Sequence, residues 1–206
     1  VRDLPLNLNF EAGVGAEDWT LSSLQADWAG LRVTGQGSGP VTDLAGSRLI
    51  LSATGQDMAP LGGGALKASL DWADGAGILT ASLSGIRHGL ADFDAFDLRL
   101  AGTTQALDYT VQIKGRTVLN GLYQPLELTL SGQAMNALSA LRRITANLDG
   151  RWGDVAFSTA ETAFLEGSAR GETASMLLDL LGGQVKLQAS PDSARLTTNA
   201  LRLGPV

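Results

Sequence analysis

The chain has 206 residues, enough for one large β-domain or two small ones. Its net charge of −6, without a basic stripe, argues against a nucleic-acid partner, and with no cysteine it can form neither disulfides nor thiolate metal sites. The 26 glycines, with 5% aromatic and 17% charged residues, suit many short strands with tight connections better than a thick aromatic core.

Leu4, Leu6, Leu8 and Phe10 alternate with Pro5, Asn7, Asn9 and Glu11. That period of two is the mark of a strand with one dry and one wet face, and Pro5 points to a strand start or an edge. After a turn at Gly13–Gly15, Trp19–Leu21 and Leu24–Trp28 read as a strand or a bent pair, followed by Leu31–Gly35. The stretch from Gln36 to Leu44 holds Gly37, Gly39 and Pro40 and reads as a loop or an irregular strand. Alternation resumes at Leu49–Gly55, Leu66–Trp72 and Leu79–Gly85, the last two joined by the turn-rich Ala73–Gly77.

The clearest copies come next: Phe96–Gly102, Tyr109–Gly115 and Leu126–Gly132, each an alternating run closed by glycine. Ile144–Gly150, Val155–Ser158, Phe164–Gly167, Val185–Ala189 and Ala194–Thr197 carry the pattern to the end. The glycines at 37, 55, 85, 102, 115, 132, 150, 167 and 183 often recur near a seventeen-residue spacing, which marks a repeat architecture of stacked units. Each unit is expected to be a strand of about 5–7 residues plus a connection.

Three places suggest helix. Asp57–Leu61 looks like a helical turn, and Asn136–Arg143 has Leu138 and Leu141 at helical spacing. Thr173–Gly183 fits a capped helix, with Thr173 as N-cap and Gly182 as C-cap, but Leu178-Asp179-Leu180 fits one more strand equally well.

Catalytic signatures are missing. His88 is the only histidine; it sits in the turn-like Ile86-Arg87-His88-Gly89, with no G-x-S-x-G elbow to pair with it. Asp92, Asp94 and Asp97 lack the glycine and distal glutamate of a calcium loop. Gly35–Gly39 is not a dinucleotide fingerprint, and Gly62–Gly64 with Lys67 is not a phosphate loop. The sequence therefore predicts no enzyme, no metal and no cofactor.

The expected fold is all-β: a single elongated domain over residues 1–206, built as an antiparallel or mixed sheet of short repeated strands, with one or two short helices. Its apolar face would present Leu49, Leu51, Leu66, Leu70, Leu79, Leu83, Phe96, Leu98, Leu100, Tyr109, Val111, Ile113, Leu126, Leu128, Leu130, Ile144 and Leu148. Such a face either closes into an ordinary core or curls into an open groove for an apolar ligand. A dozen strands would make a groove about 50 Å long. No apolar run approaches the roughly 18 residues that span a bilayer. The chain begins at Val1 and ends at Gly204-Pro205-Val206, and both ends read as cuts in a longer protein.

The runs Leu79–Gly85, Phe96–Gly102 and Leu126–Gly132, with Asp57–Leu61 leading into Gly64–Leu70, resemble the repetitive β-rich region of the TamB branch of the AsmA-like family. The resemblance implies a β-taco, a long curled sheet whose hydrophobic groove carries phospholipid acyl chains. It further implies the periplasm, an inner-membrane anchor outside this stretch, and a TamA-like outer-membrane β-barrel partner reached through other parts of the protein. On that basis the chain is expected to be part of a phospholipid conduit between the inner and outer membranes, supporting outer-membrane biogenesis. Two other readings use the same strands: a chaperone for outer-membrane proteins acting through strand edges, and a structural solenoid or adhesin with a closed core.

Overall fold

A computed structural model describes residues 5–43, 46–58, 63–88, 91–103, 105–119, 122–136, 141–168 and 171–202. It is nearly all antiparallel β, in fourteen strands. They are β1 (Leu6–Val14), β2 (Asp18–Trp28), β3 (Leu31–Pro40), β4 (Arg48–Gly55), β5 (Ala65–Ala73), β6 (Ala76–His88) and β7 (Ala91–Thr103). The remainder are β8 (Ala106–Leu119), β9 (Leu122–Met135), β10 (Arg143–Trp152), β11 (Val155–Ser168), β12 (Gly171–Leu180), β13 (Gly183–Ser190) and β14 (Ser193–Asn199). The strand order in the sheet is the order in the chain, and the sheet does not close. The chain divides into two compact units, Val1–Thr103 and Thr104–Val206.

Two of the described turns show how a strand reverses beside its predecessor. Asp74 and Gly75, with φ of 51° and 76°, form the only residues between Ala73 and Ala76. Positive φ at both central positions is the type I′ geometry whose twist matches that of the flanking strands. Leu181 and Gly182 (φ 53° and 69°) repeat it between β12 and β13. Asp-Gly suits the left-handed region; Leu181 enters it against its own Cβ.

The strands are longer than the repeat spacing suggested, and the reason lies in the glycines. Gly37, Gly85, Gly102, Gly115, Gly132, Gly150 and Gly167 lie inside strands, so β6 and β7 reach 13 residues and β8, β9 and β11 reach 14. Gln36–Pro40, expected as loop or irregular strand, is the second half of β3. Val155–Ser158 and Phe164–Gly167 are two ends of one strand, β11, joined across register shifts at Thr159–Phe164.

A comparable shift settles the bent pair before β3. In β2, Leu21 pairs with Gly37 and Leu24 with Gly35, while Ser22 is one residue too many for either neighbour. This bulge returns Leu21 and Leu24, three residues apart, to the same face.

The helical reading of Thr173–Gly183 is overturned. Ala174, Met176, Leu178 and Leu180 alternate toward one face of β12, and its backbone is paired with both β11 and β13. Two hydrogen-bonding neighbours decide a local ambiguity that propensity leaves open. Residues 59–61 of the turn expected at Asp57–Leu61 and 137–140 of the helix expected at Asn136–Arg143 lie outside the described residues, as does Leu4, while Arg143 opens β10.

Candidate functional site

Cross-strand partners in an antiparallel ladder point to the same side, so the registers show which side chains share a face. In the first unit one row runs Phe10, Leu24, Gly35, Leu51, Leu70, Leu79 and Leu100, one residue from each of β1 to β7. Beside it runs Leu8, Ala26, Val33, Ala53, Ala68, Ala81 and Leu98, and beyond that Leu6, Trp28, Leu31, Gly55, Leu66, Leu83 and Phe96. Leu49 belongs to a fourth row with Leu21, Gly37 and Trp72. Every predicted lining residue of this unit therefore lies on one face. Seven strands make each row about 29 Å long, from six steps of about 4.8 Å.

The second unit repeats the arrangement. Val111, Leu130 and Leu148 form one row, and Ile113, Leu128, Gly150, Phe157 and Leu180 the next. Tyr109 shares a row with Gly132, Ala146 and Ala163; Leu126 pairs with Gly115 and Trp152; and Ile144 pairs with Ala134 and Leu165. The lining residues predicted here also share a single face.

These faces are lined but not sealed. Every one of the predicted lining residues is half-buried. Among the described residues the only buried apolar side chains are Met58, Ala134 and Ala163, and no large side chain is fully buried. An ordinary β-sandwich puts its large apolar residues between two sheets and removes them from water. Here the described strands belong to one sheet that is not closed.

Glycines in the rows are levelled by their neighbours. A Cβ on Gly77 would stand 2.6 Å from Cε3 of Trp72, and one on Gly150 would stand 2.7 Å from Cζ of Phe157, because those rings already lie over the glycines. Gly37 is bounded in the same way by Cη2 of Trp19 at 3.0 Å. Over Gly132 the Tyr109 hydroxyl crosses a whole strand and donates to the Thr145 carbonyl at 2.8 Å. Burial raises the Tyr109 pKa above the ordinary phenol value.

The opposite faces are wet and internally paired. Ser69 and Thr80 share a hydrogen bond of 2.8 Å, Ser82 donates to Asp97 at 2.6 Å, and the Gln133 amide donates to Asp108 at 3.0 Å. Arg32 donates to Asp27 at 2.7 Å and Gln25 at 2.8 Å, and these two donors hold the Asp27 carboxyl below the usual carboxylate range. Of the acidic cluster in β7, Asp97 takes its hydrogen bond from Ser82 on this side, whereas Arg87 and Asp92, bridged at 2.8 Å, continue the ladder four residues beyond Leu83 and Phe96. Among the described residues no three of His, Cys, Asp and Glu gather as a metal site. His88 ends β6, and its side chain lies outside what is described.

Several members of the apolar faces escaped the sequence reading. Trp72, which closes the alternating run Leu66–Trp72, was left out of the lining set although it stands two residues beyond Leu70 on the same face. Leu21, Phe157 and Leu165 were hidden because bulges break the period next to them. Ala53, Ala68 and Ala81 gave no signal, since a small residue marks a face only once its register is known. No family model, no curated protein and no solved structure matches this chain.

Proposed function

We propose that the apolar faces bind hydrocarbon chains and that the protein is a segment of a conduit passing phospholipids between two membranes. The carrying observation is the unsealed face: rows of Leu, Phe, Val and Ile interspersed with Ala and Gly, whose predicted lining residues are only half-buried, on a sheet that is not closed. An acyl chain laid on it gains about 0.8 kcal/mol for each methylene removed from water. One leaflet of hydrocarbon is about 15 Å thick. A row of about 29 Å in the first unit therefore takes a whole chain lengthwise.

Transport on such a surface is passive. Successive strands offer near-equivalent linings, such as the Leu51, Leu70 and Leu79 positions, so a chain moving from one to the next exchanges like contacts for like. The resemblance to the AsmA-like family adds the setting: the periplasm, an inner-membrane anchor in another part of the protein, and a TamA-like barrel partner met elsewhere on it. No catalytic step is invoked.

Photo-crosslinking tests the reading. A crosslinker at Leu128, which pairs with Ile113 on the apolar face, is expected to capture phospholipid in cells. At Thr129, which pairs with Gln112 on the wet face, it is expected to capture none. Equal capture at the two positions would remove the basis for a lipid-binding face.

A further inference from the structure

Charge is nearly absent from the lining face of the second unit, and where it occurs it sits at the border. Among the described residues of β8 to β13, Glu172 is the one charged side chain on that face. It stands two residues before Ala174 and in register with Gly167, whose amide donates to the Arg142 carbonyl at 2.8 Å. Arg142 in turn stands two residues before Ile144. Arg142, Gly167 and Glu172 therefore form the next row outward from Ile144, Leu165 and Ala174 on the same face.

Gly167 has no side chain to part its neighbours, and the Arg142 guanidinium reaches across β11 to the Glu172 carboxylate. The pair Arg143–Glu166, at 3.2 Å, is one residue off in each strand and so belongs to the wet face. The first unit holds a comparable pair. Arg87 and Asp92 continue the β6–β7 ladder beyond Leu83 and Phe96 and are bridged at 2.8 Å. In each unit an arginine and a carboxylate are joined just past the apolar rows. The Arg142 and Glu172 side chains are 37% and 48% exposed, so a ligand on the face can reach both.

We propose that Arg142 and Glu172 form a head-group site selective for zwitterionic phospholipids, which rests on the hydrocarbon-binding face of the proposed function. With an acyl chain along the Ile144, Leu165 and Ala174 row, the head group turns outward by one row, about 6.8 Å. Its phosphate meets the Arg142 guanidinium, whose fork of donors matches phosphate oxygens, and its ammonium meets the Glu172 carboxylate. A purely anionic head loses to Glu172 what it gains from Arg142, whereas a head carrying both charges gains from both. Loosening the Arg142–Glu172 bond costs little, because exposed ion pairs contribute little. A primary ammonium, as in phosphoethanolamine, donates hydrogen bonds to the carboxylate that a quaternary one does not.

The test uses monomeric phosphatidylethanolamine and phosphatidylglycerol carrying the same fluorescently labelled acyl chain. Binding is measured to the unsubstituted chain and to a background with Arg87→Gln and Asp92→Asn, in which the pair of the second unit remains. Both are expected to bind the ethanolamine lipid at least about threefold more tightly than the glycerol lipid. In the background, Glu172→Gln leaves the arginine alone and is expected to turn the preference toward the glycerol lipid. Exchanging the charges, Arg142→Glu with Glu172→Arg, is expected to keep the original preference, because the pair still carries both signs. Glu166→Gln, on the wet face, is expected to leave the ratio unchanged. Equal affinities in the unsubstituted chain, or a ratio that Glu172→Gln does not move, overturns the head-group site and leaves hydrocarbon binding standing. If the unsubstituted chain binds neither lipid, the hydrocarbon-binding face falls and the head-group site with it.

Discussion

At the scale of single residues, the apolar faces are held level by a few tight contacts, and Tyr109 is the most informative. Its ring lies on the lining face while its hydroxyl reaches over Gly132 to the Thr145 carbonyl. Tyr109→Phe keeps the ring and removes the hydrogen bond, so it is expected to cost about 1 kcal/mol in chemical denaturation at neutral pH. The sign of its pH dependence follows from the raised pKa. The unfolded chain ionises near the ordinary phenol value of about 10, and the folded chain only above it. Tyr109 therefore contributes stability that is fully present below about pH 10 and lost as pH rises through the folded value. Denaturation curves of the Phe variant are expected to show a shallower alkaline decline than those of the parent. A decline of the same steepness in both would place the alkaline sensitivity elsewhere.

At the scale of the strand, the bulge in β2 decides which residues reach the lining. Ser22 is the extra residue that lets Leu21 and Leu24 share a face. Deleting Ser22 leaves those leucines two apart, in ordinary alternation, so the variant is expected to lose less than about 1 kcal/mol. Deleting Ser69 from the regular β5 has the opposite effect: Leu66 or Leu70 must turn to the wet face, at a cost of at least about 2 kcal/mol. Thermal melts of the two deletions side by side decide the matter, and equal losses would contradict the assigned register.

The same contrast explains what the sequence could and could not reveal. Regular strands such as β5 and β9 were legible, since alternation alone marks Leu66, Leu70, Leu126, Leu128 and Leu130 as one set. Strand length was not, because glycine signals a break by its composition, while Gly132 and Gly150 are continued by the rings and hydroxyls laid over them. Thr173–Gly183 was ambiguous locally and became a strand through its neighbours β11 and β13. That each unit gathers its lining on one face was readable from periodicity; that this lining is only half-buried needed the structure.

At the scale of the whole molecule, exposure is the outstanding quantity. The accessible surface is 13475 Å², against about 9,100 Å² for a compact monomer of this size. Set against an unfolded chain of about 31,000 Å², folding removes roughly a fifth less surface than usual. The denaturant slope is expected to be lower by about the same fraction, because it scales with surface exposed on unfolding. Urea titration checks this, and a slope typical of a compact protein of 206 residues would indicate that the apolar faces are covered in solution. The strictly sequential strand order has a kinetic consequence as well. Each strand finds its partner in the segment just made or the one made next, so no pairing waits on the closure of a long loop. Contact order is low for an all-β chain, and folding can advance hairpin by hairpin as in other arrays whose units touch only their neighbours. Adding or removing a hairpin rewires no existing pair, which leaves the number of strands free to vary.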